Sequence, residues 1–338
     1  MKLPEPINTI TNLIDQYHEG QQERPRSHMG CSTLGHPCDR WLWLSFRWAV
    51  VEKFEGRILR LFRRGQNEEA IIVRDLRAIG IDIRFTGKVQ QRVDFDSHVS
   101  GSLDGIIETG VPEAPLKRHV AEFKTHSKKS FDDVVKNGVE KSKPAHYIQM
   151  QVYMHGTDIL RALYLAVCKD DDRIYTERVR YNPEVAEKAI ERGKRIALAD
   201  RMPEPLSADP SWYQCRFCPA HAFCHKAEPT KFANCRTCAH STARANSTWR
   251  CERHEADNIP VDFQHKGCDD HIIHPDLVPW PMIPSEDGLS VMWKIGDRVI
   301  ENGPGGYKSR EIVANPSACG DPMVESARAL FDGAEIVG

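Results

Sequence analysis

The chain has 338 residues, of which 40% are hydrophobic and 28% are charged, and its formal net charge is -2 at pH 7. This length is sufficient for one large hydrophobic core and a small second unit. No apolar run approaches the roughly 20 residues that span a bilayer, and the start of the chain lacks the apolar stretch of a secretory signal. We therefore expect a cytoplasmic protein without membrane contact, and any contact with nucleic acid must come from local charge or bound metals.

The N-terminal half predicts two helices followed by strands. Residues 5–19 and 54–78 carry apolar residues at near-helical spacing. Alternation and glycines over residues 81–107 predict strands, and Glu122 lies on the next strand after a proline-containing loop.

The middle of the chain predicts a return to helices. Ser130 is suited to cap a short helix, and Pro144 to open a helix that carries Gln149 and Tyr153 on one face. Two strands follow at residues 162–168 and 173–181. A further helix is predicted from Pro183 to about Met202.

The C-terminal part changes character after Trp212 to cysteines, histidines and prolines, which is typical of small metal-bound structures. We predict a domain division into residues 1–230 and 231–338. A hairpin is expected over residues 291–307 and a helix over residues 324–331.

Two acidic residues and a lysine indicate a metal site. Asp104 and Glu122, on neighbouring predicted strands, could hold a hard divalent cation through oxygen, and Lys124 projects on the same strand face as Glu122. Taken singly, an E-x-K on a strand is more often a solvated edge, and the Gln149 and Tyr153 pair more often helix surface. Their order on strand, strand and helix predicts a site that cleaves phosphodiesters.

These residues stand in an order that resembles a known nuclease family. The motifs G-x3-E, G-x2-D, E-x-K and Q-x3-Y occur at Gly65/Glu69, Gly101/Asp104, Glu122/Lys124 and Gln149/Tyr153. Over roughly residues 30–225 the chain resembles the RecB-like branch of the PD-(D/E)xK nucleases. The resemblance implies an α/β, restriction-endonuclease-like core with a mixed central sheet flanked by helices, followed here by a small zinc-bound domain.

The resemblance also implies roles for these residues. Asp104, Glu122 and the backbone carbonyl of Phe123 would hold Mg²⁺ or Mn²⁺, and Glu69 would help directly or through water. Lys124 would orient or deprotonate the attacking water. Two further residues, Gln149 and Tyr153, would hold Lys124 or the substrate backbone.

One position departs from the family pattern. Many members carry a metal-binding histidine directly after the glycine of the first motif, where this chain has Gln66. A one-metal site or weaker binding of a second metal therefore stays open, and Glu68 remains an alternative to Glu69.

Eleven cysteines favour metal ligation over disulfides in a reducing compartment, because eight of them fall in patterned positions. Three of these, Cys215, Cys218 and Cys224, are clustered, and Cys38 lies far upstream. This arrangement is similar to the 4Fe-4S nucleases, including the CRISPR-associated iron-sulfur exonucleases and the AddB nuclease domain, and implies a structural 4Fe-4S cluster. Four thiolates also suit zinc, and Cys31 is the alternative first ligand.

A second cysteine group indicates structural zinc. Cys235, Cys238, Cys251 and Cys268 form a set of four thiols with one C-x2-C pair. A histidine could replace one of them, and the candidates are His240, His254 and His271. The zinc-ribbon-like domain could contact DNA or another protein.

The resemblance implies a Mg²⁺/Mn²⁺-dependent deoxyribonuclease. We expect an exonuclease acting on DNA ends or single strands in recombination, repair or phage DNA processing, in a prokaryotic cell or phage-infected host. No G-x4-GK[ST] motif occurs, so an ATP-driven motor would have to come from a partner, such as a recombination, helicase or annealing protein. The alternatives are a catalytically weak nucleic-acid-binding or adaptor subunit and a structure-selective endonuclease. Four arginines before Gly65 could meet phosphates or form a solvated helix face, namely Arg57, Arg60, Arg63 and Arg64.

Overall fold

The computed structural model describes residues 9–286, 288–331 and 334–337, which fold into two compact units. As far as they are described, the first unit contains Met1–His36, Glu52–Phe95 and Val99–Gly193, and the second contains Pro37–Val51, Asp96–His98 and Lys194–Gly338. The chain thus leaves the first unit after Gly193 rather than near residue 230, and Pro37–Val51 belongs to the second unit.

A five-stranded mixed sheet forms the centre of the first unit. The strands of this unit are β1 (Met29–Gly30), β2 (Ile83–Arg84), β3 (Arg92–Asp94), β4 (Val99–Ser102), β5 (Gly105–Ile107), β6 (His119–His126), β7 (Arg161–Cys168) and β8 (Ile174–Arg180). The sheet has the order β2-β5-β6-β7-β8, in which β6 and β7 are parallel and the other neighbours antiparallel. A smaller sheet has the order β1-β4-β3.

Helices pack against the central sheet. The helices up to residue 197 are α1 (Ile10–Gly20), α2 (Asp39–Phe46), α3 (Gly56–Ala78), α4 (Lys128–Ser142), α5 (Pro144–Thr157) and α6 (Pro183–Ala197), of which α2 belongs to the second unit. The apolar residues Ile72, Val73 and Leu76 of α3 pack against Ala121 and Phe123 of β6. Both α4 and α5 contact β6 and β7. The mixed sheet and its helices confirm the α/β prediction and are consistent with a restriction-endonuclease-like core.

The element bounds mostly confirm the predictions, and the differences have local causes. Of the predicted helix 5–19, residues 5–8 lie outside the described residues. The helix predicted to begin at Ser130 begins at Lys128 after the cap residue Ser127, and the Ser130 hydroxyl contacts His126 Nδ1 instead.

The helix α6 ends at Ala197, before the predicted Met202. Beyond it, the Ala199 carbonyl accepts hydrogen bonds from Trp43 and Arg47, so this carbonyl faces side chains instead of continuing a helical ladder.

The second unit has short elements. They are α7 (Tyr213–Arg216), α8 (His221–His225), β9 (Ser241–Ala243), β10 (Trp249–Cys251), α9 (Val261–Lys266), β11 (Met282–Pro284), β12 (Val291–Ile295), β13 (Arg298–Asn302), α10 (Ser309–Ala314) and α11 (Pro322–Leu330). Strands β9 and β10 form a hairpin, and β11, β12 and β13 form a sheet in that order. The predicted hairpin and final helix are confirmed. No helix within the described ranges is long and apolar enough to cross a membrane.

The core of the second unit contains two buried arginines among aromatic rings. The guanidinium carbon of Arg236 lies 3.8 Å from the ring centroid of Trp48, and that of Arg47 lies 4.7 Å from the ring centroid of Trp43. Arg236 also donates a hydrogen bond of 2.8 Å to the Phe46 carbonyl. Such cation–π contacts, together with hydrogen bonds to carbonyls, help to satisfy charges that are buried away from water.

Candidate active site

The backbone brings the two predicted acidic ligands together. Asp104 lies in the short connection where the chain leaves β4 for β5, and Glu122 lies in the middle of β6. The Asp104 carboxylate accepts a hydrogen bond of 2.9 Å from the Phe123 amide, which fixes it beside Glu122.

Glu122 is completely buried and pairs with Lys124. The Lys124 ammonium contacts Glu122 Oε1 and donates to the Phe123 carbonyl at 3.2 Å. Burial raises the pKa of Glu122 to about 7; Lys124 opposes this shift, and Asp104 adds to it. Burial alone would lower the pKa of Lys124, but the charges of Glu122 and Asp104 outweigh it and raise that pKa. The lysine beside these carboxylates is therefore an ammonium rather than a base.

Glu69 of α3 is the third carboxylate of this group. Burial raises its pKa to about 7, and the charge of Asp104 adds to that shift. Glu69 Oε1 accepts a hydrogen bond of 3.2 Å from Gln90 Nε2. Glu69 lines the same cavity as Asp104, whereas Glu68 is not part of the cavity wall.

A cavity of about 770 Å³ is bordered by two of the three carboxylate residues, Glu69 and Asp104. Its wall combines oxygen ligands, amides and cations, including Glu69, Asp104, Gln66, Gln90, Gln149, Arg26, Arg77 and Arg92. Carboxylates suit a hard cation, and arginines suit phosphate groups. Sequence reasoning missed Gln90, Arg26, Arg77 and Arg92, because these residues belong to no spaced motif.

Gln149 and Tyr153 of α5 are buried at the same cavity. Burial raises the pKa of Tyr153, and a hydrogen bond with Gln149 works against that shift. A Cβ atom on Gly101 would lie 2.9 Å from Cys31 Sγ and 3.0 Å from Tyr153 Oη, so this close approach requires glycine.

The residues of the site fit a divalent metal in donor type. The buried Glu122 Oε2 has no hydrogen-bond partner among the described residues, and a buried carboxylate oxygen without a partner is costly. The charge of Asp104 adds to the raised pKa of both Glu69 and Glu122, and the three carboxylates form a donor set that a dication would neutralise. Nevertheless, no group of three or more His, Cys, Asp or Glu side chains in the described ranges has a geometry that could hold a metal ion.

The thiols of the first cysteine group lie near one another in the second unit. Burial raises the pKa of Cys218 to about 11, and the charges of Cys224, Cys38 and Cys215 add to the shift. Cys31 instead lies in the first unit, in the cavity wall. The structure thus groups Cys38, rather than Cys31, with the three clustered cysteines.

The thiols of the second cysteine group also lie near one another. Burial raises the pKa of Cys235 to about 11, and the charges of Cys268 and Cys251 add to it. Burial likewise raises the pKa of Cys238 to about 12. Of the alternative histidines, His254 has its Nε2 atom 3.9 Å from Cys268 Sγ. His271 is instead engaged through Nε2 with Thr237 Oγ1 and the Asn234 carbonyl.

The predicted basic stripe on α3 is largely engaged within the first unit. Arg60 forms an ion pair with Asp15, and Arg64 donates to the Lys169 carbonyl at 2.8 Å. Arg63 lies 3.4 Å from His18 Nε2. These contacts engage three of the four arginines of the stripe with neighbouring segments of the first unit.

The mixed sheet brings together an acidic pair and a lysine, and arginines line the neighbouring cavity. These features define an α/β protein with a nuclease-like site. The chain belongs to the PD-(D/E)XK nuclease superfamily, whose profile matches residues 16–225.

Among curated proteins, none matches the chain significantly. Similar solved structures include SSO0001, with 13% identity over 64% of this chain and 96% of that chain, at a TM-score of 0.40. The alkaline exonuclease LHK-Exo from Laribacter hongkongensis has 16% identity over 54% of this chain and 90% of its own, at a TM-score of 0.35. A phage related exonuclease from Haemophilus somnus 129PT has 19% identity over 53% and 94%, at a TM-score of 0.33.

Proposed function

We propose that this chain is a Mg²⁺- or Mn²⁺-dependent deoxyribonuclease, acting as an exonuclease on DNA ends or single strands in recombination, repair or phage DNA processing. The observation that carries the proposal is the fully buried Glu122 carboxylate, which has one oxygen without a partner among the described residues and lies next to Asp104. A protein has little reason to bury such an oxygen unless a ligand completes the site.

The residues of the site would have different roles in hydrolysis. Asp104, Glu122 and the Phe123 carbonyl would hold the metal, with Glu69 as a direct or water-mediated ligand. When bound, the metal activates water and neutralises charge that develops on the phosphate. Lys124 brings a fixed positive charge and hydrogen-bond donors to the water and the phosphate oxygens.

The remaining residues hold this arrangement. Gln149 and Tyr153, which line the cavity, would hold Lys124 or the substrate backbone. Two arginines that line the cavity, Arg26 and Arg92, would bind phosphates of the strand.

DNA cleavage by purified protein tests the proposal. End-labelled single- and double-stranded DNA, linear and circular, would be incubated with Mg²⁺, Mn²⁺ or EDTA. We expect metal-dependent loss of linear DNA that is abolished by Asp104→Ala and Lys124→Ala. The matched control is Lys128→Ala, because that exposed lysine pairs with Asp171 outside the site. Cutting of circles would indicate an endonuclease, and binding without cleavage under every metal would leave an adaptor subunit.

We further propose that the two cysteine groups hold different metals. Cys38, Cys215, Cys218 and Cys224 would bind a structural 4Fe-4S cluster, and Cys235, Cys238, Cys251 and Cys268 would bind Zn²⁺. The support is the proximity of the thiols in each group: Cys224, Cys38 and Cys215 lie near enough to Cys218 for their charges to act on it, and Cys268 and Cys251 likewise act on Cys235. A helicase, recombination or annealing protein is the proposed partner.

Metal analysis after purification without oxygen tests these assignments. We expect iron and zinc in the wild type, with loss of iron alone in Cys38→Ser. Cys31→Ser is the matched control and should retain iron. Zinc in both groups would contradict the iron-sulfur assignment.

A further inference from the structure

We propose that Gln90 is a positioning residue that fixes the Glu69 carboxylate for metal binding, an inference that rests on the proposed function. Gln90 Nε2 donates a hydrogen bond of 3.2 Å to Glu69 Oε1. The two residues come from different elements, α3 and the loop before β3, and both line the cavity.

Glu69 needs such a partner because it lies among like charges. Glu69 and Asp104 line the same cavity, and repulsion between neighbouring carboxylates would favour side-chain rotamers that turn Glu69 away. The hydrogen bond from the Gln90 amide engages Oε1 of Glu69 and leaves Oε2 available for a cation. Because the amide is neutral, it orients the carboxylate without competing with a cation for it.

The loop that carries Gln90 is itself attached to the elements of the site. Arg77 of α3, the same helix as Glu69, donates to the Ile83 carbonyl at 3.1 Å and to Thr86 Oγ1 at 3.2 Å. A Cβ on Gly105 would lie 3.0 Å from Thr86 Cγ2, so the loop packs closely on β5.

The other end of the loop is bonded to the segment that carries Asp104. The Leu103 amide, directly before Asp104, donates a hydrogen bond of 3.0 Å to the Gln91 carbonyl. Gln90 therefore lies in a loop fixed at one end to the helix of Glu69 and at the other to the connection of Asp104. This placement suits a residue that sets the distance between two ligands.

The test is a double-mutant cycle on Mn²⁺ binding, measured by calorimetry in the absence of DNA. The variants are Gln90→Met, which keeps the length but removes the amide, Glu69→Gln, and the double variant. We expect Gln90→Met to weaken Mn²⁺ binding by about tenfold, the lower end of the effect of such supporting residues. In the Glu69→Gln background, the same change should have little further effect, because Gln90 acts through Glu69.

Matched controls separate the outcomes. Gln91→Met should bind Mn²⁺ as the wild type does, since Gln91 lies outside the cavity wall. Unchanged Mn²⁺ binding in Gln90→Met, or an equal loss with and without Glu69, overturns the role of Gln90 while the nuclease proposal stands. A wild-type chain that binds no Mn²⁺ overturns the proposed metal site, and the inference with it.

Discussion

Replacing His146 by glutamine should make the stability of the protein less sensitive to acid. Two histidines of the first unit share the hydroxyl of Tyr164, at 3.1 Å from His146 Nδ1 and 2.7 Å from His126 Nε2. Burial lowers the pKa of His146 to about 3 and that of His126 to about 4, with Lys124 and Lys143 contributing in both cases. Both rings are therefore neutral in the fold.

The sign follows from where the proton binds. An unfolded histidine titrates near 6.5, so below that pH the unfolded chain binds a proton that the folded state does not bind. The stabilisation is fully present above the unfolded pKa and is lost as the pH falls toward the folded one. The loss is about 1.4 kcal/mol per pH unit, or about 2 kcal/mol for His146 at about pH 5.

Two carboxyl groups of the candidate active site change the stability of the protein with pH in the opposite direction to the histidines. The pKa values of Glu69 and Glu122 are raised to about 7, mainly by burial, so these carboxyls bind protons more readily in the fold than in the unfolded chain. Their contribution to the free energy of unfolding therefore becomes more favourable as the pH falls from about 7 toward their pKa in the unfolded chain. The pH dependence of the free energy of unfolding of the whole protein therefore combines contributions of both signs. The difference between the variant and the wild type isolates the contribution of His146.

Urea unfolding followed by far-ultraviolet circular dichroism, at about pH 7.5 and about pH 5, measures this difference. We expect His146→Gln to gain about 2 kcal/mol relative to the wild type between the two pH values. His155→Gln is the control on the same helix, where the side chain is exposed and contacts the Tyr181 hydroxyl. An equal pH dependence in His146→Gln and the wild type would refute the reasoning.

Three further predictions concern packing and metal choice. Gly35→Ala should lower the free energy of unfolding by about 1–3 kcal/mol, because its Cβ would lie 2.4 Å from the Ala145 Cα. The control Gly20→Ala has open space around the new Cβ and should leave the free energy of unfolding unchanged. Equal urea midpoints for the two variants would contradict this prediction. Gln66→His should tighten Mn²⁺ binding about tenfold in calorimetry, because it adds a nitrogen ligand at the cavity wall, and an unchanged affinity would contradict this. Arg236→Ala should cost about 3–5 kcal/mol, read by tryptophan fluorescence, because it leaves a void among aromatic rings, and a loss below about 1 kcal/mol would contradict this.

The central part of the site follows from local rules in the sequence. Alternation on a strand places Glu122 and Lys124 on one face, and helical spacing places Gln149 beside Tyr153. These relations depend only on the period of the element, so sequence alone predicts them.

Contacts made through loops do not follow from such rules. Gln90 reaches Glu69 only because Arg77 and the Gln91 carbonyl hold its loop, and no periodicity encodes that path. The family resemblance implied that Cys38 belongs with distant cysteines, but apolar patterns gave no comparable sign that Arg47 would lie in the same core as Arg236. Pairings of this kind depend on tertiary packing.

The second unit is assembled from segments far apart in the chain, and this sets an order of events during synthesis. Trp43 and Trp48 leave the ribosome early, but Arg236 and Trp249, which are buried with them, follow about 200 residues later. At a synthesis rate of about 5–20 residues per second, Trp43 and Trp48 remain without these partners for roughly 10–40 s. The first unit can close once Gly193 has emerged, so chaperones that hold nascent chains should engage residues 37–51 more than any part of the central sheet.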